Sequence, residues 1–172
     1  MCSVDTSFIY RSADRQFGLT IPSNEMNTLL VFCVQADRKE TGGVLLGHYS
    51  QSHDTAVVVQ VSGPPPDSRH GASFFVRGIK GLQQLLNQLW RRKEYYLGEW
   101  HYHPFANPDP SGTDEQQMLD FARNKAMNCP EPVLLLIGGD PKRDWHVRVV
   151  VYTRNKKPIE LSPVMPTANM EI

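Results

Sequence analysis

The sequence has no excess of charge of either sign. Lys and Arg total 18 and Asp and Glu total 18 among its 172 residues, so the formal net charge is zero. Strong attraction to nucleic acids or anionic membranes needs a clearly basic surface. The short basic run at residues 91–93 falls at the end of a predicted helix, where cations complement the helix dipole. We therefore expect neither a nucleic-acid partner nor a membrane partner.

The sequence also lacks a hydrophobic run of the roughly 20 residues that a membrane-spanning helix needs. Its first residues, Met-Cys-Ser-Val-Asp, do not show the charged and apolar regions of a signal peptide. Cysteine is scarce, and Cys2, Cys33 and Cys129 have neither disulfide-type nor metal-type spacing. These absences predict a protein of the reducing cytoplasm. No neighbouring feature marks any of the three thiols as an activated nucleophile.

Hydrophobic periodicity and turn residues predict one domain over residues 1–155. The order of elements predicts an α/β fold of the α+β type, with a mixed, mostly antiparallel sheet flanked by helices. Residues 156–172 contain three prolines without a pattern and are predicted to form a C-terminal tail, disordered unless a partner binds it. We predict strands over residues 16–22, 43–47, 55–61, 73–76, 95–103, 132–137 and 145–152, and helices over residues 23–36, 79–94 and 113–127.

Three local features refine this assignment. Ser23 is placed to cap the first helix, and the paired glycines Gly42 and Gly43 allow another backbone or a ligand to come close. The apolar residues of the second helix recur at helical spacing, so we predict that they face the core. These residues are Ile79, Leu82, Leu85, Leu86, Leu89 and Trp90.

Residues 63–71, Gly-Pro-Pro-Pro-Asp-Ser-Arg-His-Gly, cannot form regular structure. Such a segment is either a spacer loop or a flap over a site. His70 lies in this segment and is the histidine outside residues 101–103 that most needs a structural check. His48, His53, His70 and His146 fall in polar turns or alternating strand positions, and we predict that none of them binds a metal.

Residues 98–114 have the pattern of a metal site. His101 and His103 lie two residues apart on a predicted strand, so their side chains point to the same face. A loop rich in proline then leads to Ser111-Gly-Thr-Asp114, which opens a predicted helix and holds Asp114 in its first turn. Two imidazoles and one carboxylate leave the fourth position of a tetrahedral zinc ion free for water.

Each part of this pattern also has a simpler structural interpretation. Ser111 and Asp114 have the spacing of a capping box, in which Asp replaces the commoner Glu or Gln. Two histidines on one face of a strand usually just pack against their neighbours. The combination is more specific than its parts, and Ser111 can cap the helix and also serve the site.

The combined motif resembles that of the JAB/JAMM metalloproteases, the catalytic branch of the MPN domains. The matching residues are His101-x-His103-Pro104, Ser111-x-x-Asp114 and, far upstream, Glu40 before the apolar run Thr41–Gly47. The resemblance covers roughly residues 15–155. The sequence of residues 98–104 is more similar to the bacterial branch than to the eukaryotic enzymes. Within the bacterial branch it most resembles the small JAB proteins encoded beside fused E1-E2-like enzymes and cGAS-like nucleotidyltransferases in CBASS anti-phage operons.

The resemblance implies an MPN/JAB-like, cytidine-deaminase-like fold and a Zn²⁺ ion held by His101, His103 and Asp114. It assigns Glu40 as the general base, while Ser111 would donate a hydrogen bond to the developing oxyanion. Glu99 is the alternative base from the residues alone, because it lies on the same strand face two residues before His101. Glu40 is favoured over Glu99 as the base, because Glu40 occupies a position within the motif.

The implied reaction is hydrolysis of the isopeptide or peptide bond after the C-terminus of a ubiquitin-like modifier. In the bacterial context the modifier would be a cGAS-like nucleotidyltransferase, conjugated by an E1-E2-like enzyme. One alternative is processing of a ubiquitin-like sulfur-carrier precursor. A second is a non-catalytic MPN scaffold, although such scaffolds lack the ligand residues that this sequence contains.

Overall fold

The computed structural model describes residues 6–164, which form ten strands and three α-helices. The helices are α1 (Ser23–Ala36), α2 (Leu82–Trp90) and α3 (Gly112–Arg123), and a 3-10 turn follows at Lys125–Met127. The strands are β1 (Ser7–Arg11), β2 (Gly18–Pro22), β3 (Thr41–Tyr49), β4 (Thr55–Val61), β5 (Arg69–His70), β6 (Phe75–Val76), β7 (Tyr95–Pro104), β8 (Val133–Gly139), β9 (Trp145–Val151) and β10 (Ile159–Pro163). No helix within this range is long and apolar enough to cross a membrane.

Eight of the strands form one sheet that closes on itself, in the order β1-β10-β9-β8-β7-β3-β4-β2. The pairs β2–β4 and β7–β8 are parallel, and the other six are antiparallel. The prediction of a mixed, mostly antiparallel sheet in an α+β domain is therefore confirmed. Closure of the sheet was not predicted, because it depends on β1 and β10, neither of which was assigned from the sequence.

The prediction of a pattern-free tail from residue 156 is wrong for β10. This strand pairs with both β9 and β1, and Leu161 reaches the main core. Prolines and charged residues around β10 hide this short pattern in the sequence, whereas pairing on both sides stabilises it in the fold. Residues 165–172 of the predicted tail lie outside the described range.

The core lies on both faces of the sheet. One face packs against α1, where Met26, Leu29 and Cys33 meet Trp100 and Tyr102 of β7. The opposite face forms two smaller clusters with α2 and α3. Cys33 is buried as predicted, and both Cys33 and Cys129 are free thiols.

Two predictions about the first two helices are wrong. Ser23 is the first helical residue and not the N-cap, which is Pro22, and its hydroxyl donates to the carbonyl of Thr6. In the second helix, Leu89 is buried, but Ile79 and Trp90 are 73% and 63% exposed. Ile79 precedes the helix, in a turn where Asp67 accepts from its N–H. Trp90 ends α2 and packs edge-on against Tyr95.

Candidate metal centre

Strand β7 carries the two predicted histidine ligands on one face. Trp100 and Tyr102 point into the core behind α1, so the alternation of the strand turns His101 and His103 to the opposite face. The strand is held on both sides, since His101 pairs with Gly42 of β3 and with Leu136 of β8. This central position gives the imidazoles a rigid support.

The start of α3 brings Asp114 to the histidines. Ser111 is the N-cap, and its hydroxyl accepts from the N–H of Asp114 at 3.1 Å, while Asp114 Oδ2 accepts from the N–H of Ser111 at 2.8 Å. This reciprocal capping box leaves Asp114 Oδ1 at 2.6 Å from His101 Nδ1 and Oδ2 at 3.7 Å from His103 Nε2. The capping interpretation is confirmed, and the cap itself delivers the carboxylate to the histidines.

The three side chains fit a divalent metal ion. One donor atom from each of His101, His103 and Asp114 lies within 4.8 Å of the others. The ring nitrogens that face the Asp114 carboxylate are His101 Nδ1 and His103 Nε2. Two imidazoles and one carboxylate form a donor set that is common for catalytic zinc.

Electrostatics keep Asp114 ionised. Burial alone would raise the pKa of its carboxyl group, but the hydrogen bond and charge of His101 and the hydrogen bonds of Ser111 outweigh burial. Together they lower the pKa to about 2. Asp114 is therefore a carboxylate at neutral pH, the form that coordinates a cation.

Glu40 lines the same cavity as His103 and Asp114, two members of the candidate metal-ligand group formed by His101, His103 and Asp114. A cavity of about 460 Å³ is lined by Glu40, His103, Ser111 and Asp114. Burial raises the pKa of the Glu40 carboxyl, the charge of Asp114 adds to this, and His103 and His101 oppose it. A carboxylate with a raised pKa can accept a proton and release it again near neutral pH.

Glu99, the alternative base, is engaged elsewhere. Its side chain is fully buried, Oε2 accepts from Arg77 Nε at 2.8 Å, and Oε1 accepts from the hydroxyl of Tyr96 at 2.9 Å. Burial raises the pKa of Glu99, and the charge of Arg77 opposes this rise. Glu99 is fully buried and is not among the residues that line the cavity, whereas Glu40 lines it, and this difference favours Glu40 as the base.

The segment predicted as a spacer or flap packs beside Glu40. Strands β5 and β6 form a hairpin in which His70 Nδ1 lies 2.9 Å from the carbonyl oxygen of Glu40. His70 is therefore absent from the metal-ligand group, and its contact is to the backbone. Phe75 packs edge-on against His101, with ring centroids 5.6 Å apart. Sequence reasoning missed Phe75 and Arg77, because nothing local indicates contacts to residues more than twenty positions away.

The prediction that Gly42 and Gly43 permit close approach is confirmed, and Gly42 lies directly beneath the site. A Cβ atom at Gly42 would be 2.7 Å from the ring of Phe75 and 2.8 Å from the ring of His101. We expect Gly42→Ala to lower the free energy of unfolding by about 1–3 kcal/mol through overpacking and to weaken metal binding by displacing His101. Denaturant unfolding and metal titration measure the two effects.

Gly112→Ala is the matched control for this prediction, because a Cβ atom at Gly112 meets nothing within 4 Å. It should change the free energy of unfolding by less than about 1 kcal/mol. Equal behaviour of the two variants would show that Gly42 is not required for the packing of His101.

Comparison with known proteins places this geometry in a family. Residues 24–150 match the family model described as prokaryotic homologs of the JAB domain. The chain belongs to this family. A protein named CD-NTase/cGAS isopeptidase from Enterobacter hormaechei subsp. hoffmannii (strain UCI 50) is 37% identical over 156 residues, covering 91% of this chain and 87% of the relative.

Two further proteins are similar to this chain. A probable metalloprotease of Sinorhizobium fredii (strain NBRC 101917 / NGR234) is 27% identical over 129 residues, covering 73% of this chain and 77% of that protein. The solution structure of a protein from Desulfitobacterium hafniense matches with a TM-score of 0.58 and 16% identity, covering 83% of this chain and 86% of that one. The structural match shows a shared fold.

Proposed function

We propose that this JAB-domain protein is a zinc-dependent isopeptidase that hydrolyses the bond after the C-terminus of a conjugated protein. The observation that carries the proposal is the convergence of His101, His103 and Asp114, with Glu40 and Ser111 on one cavity. The names of the relatives, isopeptidase and metalloprotease, agree with this chemistry.

The roles of the residues follow from their contacts. A zinc ion bound by His101, His103 and Asp114 would supply a Lewis acid that acidifies water and polarises a carbonyl oxygen. Glu40 takes a proton from the attacking water and passes it to the leaving amine nitrogen. Water thereby adds across the C–N bond and yields one carboxylate and one amine. Ser111 lines the cavity at the N-cap of α3, and its hydroxyl donates to Asp114 Oδ2 at 2.7 Å. Rotation of this hydroxyl would turn its hydrogen bond to the oxygen that becomes negative.

The substrate is a protein with an extended C-terminal tail. Residues 72–76 of the β5–β6 hairpin line the catalytic cavity, and an extended peptide can add as a strand at such an edge. A second cavity, of about 700 Å³, is lined by Lys39 and Thr41, which flank Glu40. The two cavities give room for the chain segments on either side of the scissile bond.

The modifier is a cGAS-like nucleotidyltransferase, joined to its target by an E1-E2-like enzyme in bacterial anti-phage defence. This assignment rests on the similarity to the protein named CD-NTase/cGAS isopeptidase, at 37% identity over 91% of this chain. Such a reaction takes place in the cytoplasm, where the free thiols Cys33 and Cys129 stay reduced.

A conjugate of a cGAS-like nucleotidyltransferase linked through its C-terminus to a lysine side chain tests the proposal. We expect the metal-loaded protein to release the nucleotidyltransferase with a free C-terminal carboxylate, seen as the addition of one water by intact mass spectrometry. Cleavage of a sulfur-carrier precursor without cleavage of this conjugate would instead support the processing alternative. Stable metal binding without cleavage of either would support the scaffold alternative.

A further inference from the structure

The β5–β6 hairpin holds Glu40 by its backbone. The N–H of Glu40 donates to the carbonyl of Gly71 at 2.8 Å, and its carbonyl oxygen lies 2.9 Å from His70 Nδ1. Phe75, whose ring packs on His70 at 5.1 Å, also contacts His101. The hairpin thus touches both the predicted base and a predicted metal ligand. Its position sets the position of the Glu40 backbone, from which the carboxylate extends.

Little apolar burial holds the hairpin in place. Phe74 and Val76 are 51% and 46% exposed, and two-stranded hairpins are marginal without other support. Local bonds from Ser68 and Asp67 close the ends of the segment on each other, without reaching the sheet. Its docking on the barrel therefore depends on a few specific contacts.

Arg77, the residue after β6, makes a buried ion pair that is one of these contacts. Its side chain is only 9% exposed, and Nε donates to the fully buried carboxylate of Glu99 at 2.8 Å. Glu99 lies on β7, on the same face as His101 and His103, and its second oxygen is held by Tyr96. The pair joins the end of the hairpin to the strand that carries the histidines.

We propose that Arg77 is a positioning residue, whose ion pair with Glu99 docks the β5–β6 hairpin on β7 so that the hairpin holds Glu40 in place for proton transfer. The inference rests on the proposed function and deepens it. It separates two tasks within one site: β7 and α3 supply the three candidate metal ligands, whereas the hairpin, which is fastened to β7 by the Arg77–Glu99 pair, orients the base.

The experiment compares the parent with Arg77→Met/Glu99→Gln. The double variant removes both charges, since Arg77→Met alone would leave a buried, unpaired carboxylate and risk unfolding. The amide introduced by Glu99→Gln retains an acceptor for the hydroxyl of Tyr96. Five quantities are measured: the melting temperature, the bound metal, kcat and KM on a cleavable conjugate, and hydrogen exchange at the Glu40 amide, which Gly71 protects.

We expect exchange at Glu40 to accelerate at least about tenfold because the hairpin undocks. We expect kcat to fall by up to about 100-fold, because small displacements of catalytic groups cause losses of this size. Metal content should remain that of the parent, KM should change less than kcat, and the melting transition should remain cooperative. A purely structural role would not lower kcat while metal content stays unchanged.

Arg92→Met/Glu94→Gln is the matched control, because it removes an ion pair of 3.0 Å in the loop between α2 and β7, in which Arg92 is exposed and Glu94 is half-buried. It should leave exchange at Glu40 and kcat at parent values. Unchanged exchange at Glu40 in the Arg77→Met/Glu99→Gln variant would overturn the inference, as would faster exchange with kcat within about twofold of the parent. If the parent cleaves no conjugate, the proposed function fails, and exchange at Glu40, which needs no substrate, decides the docking.

Discussion

Glu40→Gln should retain the metal and lose hydrolysis. Gln has nearly the same shape as Glu, so the backbone bonds to Gly71 and His70 can persist, but the amide cannot accept a proton from water. General-base catalysis contributes about 10²–10⁴-fold, and we expect kcat to fall by this amount. Because Glu40 is absent from the metal-ligand group of His101, His103 and Asp114, metal content should equal that of the parent.

Steady-state kinetics and metal analysis on one preparation check this prediction. Glu99→Gln is the variant to compare with it. Because the Glu99 side chain makes buried contacts to Arg77 and Tyr96, we expect Glu99→Gln to lower the free energy of unfolding and to affect proton transfer less. Near-normal turnover in Glu40→Gln, together with loss of turnover in a folded, metal-loaded Glu99→Gln protein, would transfer the role of base to Glu99.

Removal of the metal should abolish hydrolysis entirely. Lewis-acid catalysis supplies several kcal/mol of transition-state stabilisation, so a chelator should reduce kcat/KM by at least about 1,000-fold. Zinc returned to the parent should restore activity. His101→Ala should stay inactive after the same treatment, because it lacks one of the three donors. Dialysis followed by an activity assay measures each step.

His146→Ala provides the control for this experiment, since His146 lies on β9 and is absent from the donor group. It should respond to the chelator and to zinc as the parent does. Persistent hydrolysis by the chelated parent, with its metal shown to be gone, would contradict a metal-dependent mechanism.

The metal-ligand group was predictable because its signals are local. Strand alternation fixes the shared face of His101 and His103, and the Ser-x-x-Asp spacing fixes the first turn of α3. Glu40 came from resemblance alone, since it lies far from His101 in the sequence. Pairing of β3 with β7, which places Thr41 opposite Tyr102, is what brings the two segments together.

The missed features all depend on contacts between distant residues. Closure of the sheet requires β1 to pair with β10, across almost the whole chain. Exposure of Trp90 cannot be read from helical periodicity, because a residue in phase with the core can still lie beyond the end of the packed surface. Arg77 resembles an ordinary loop cation until the fold places the buried carboxylate of Glu99 beside it.

The most direct test is the zinc content of the purified protein, measured by mass spectrometry beside Asp114→Ala and Glu115→Ala. Both variants remove one carboxylate from the first turn of α3, but Asp114 contacts the histidines and Glu115 is exposed. We expect about one zinc per chain in the parent and in Glu115→Ala, and loss of zinc in Asp114→Ala. No zinc in the reconstituted parent, or equal zinc in all three proteins, would contradict the proposed metal centre.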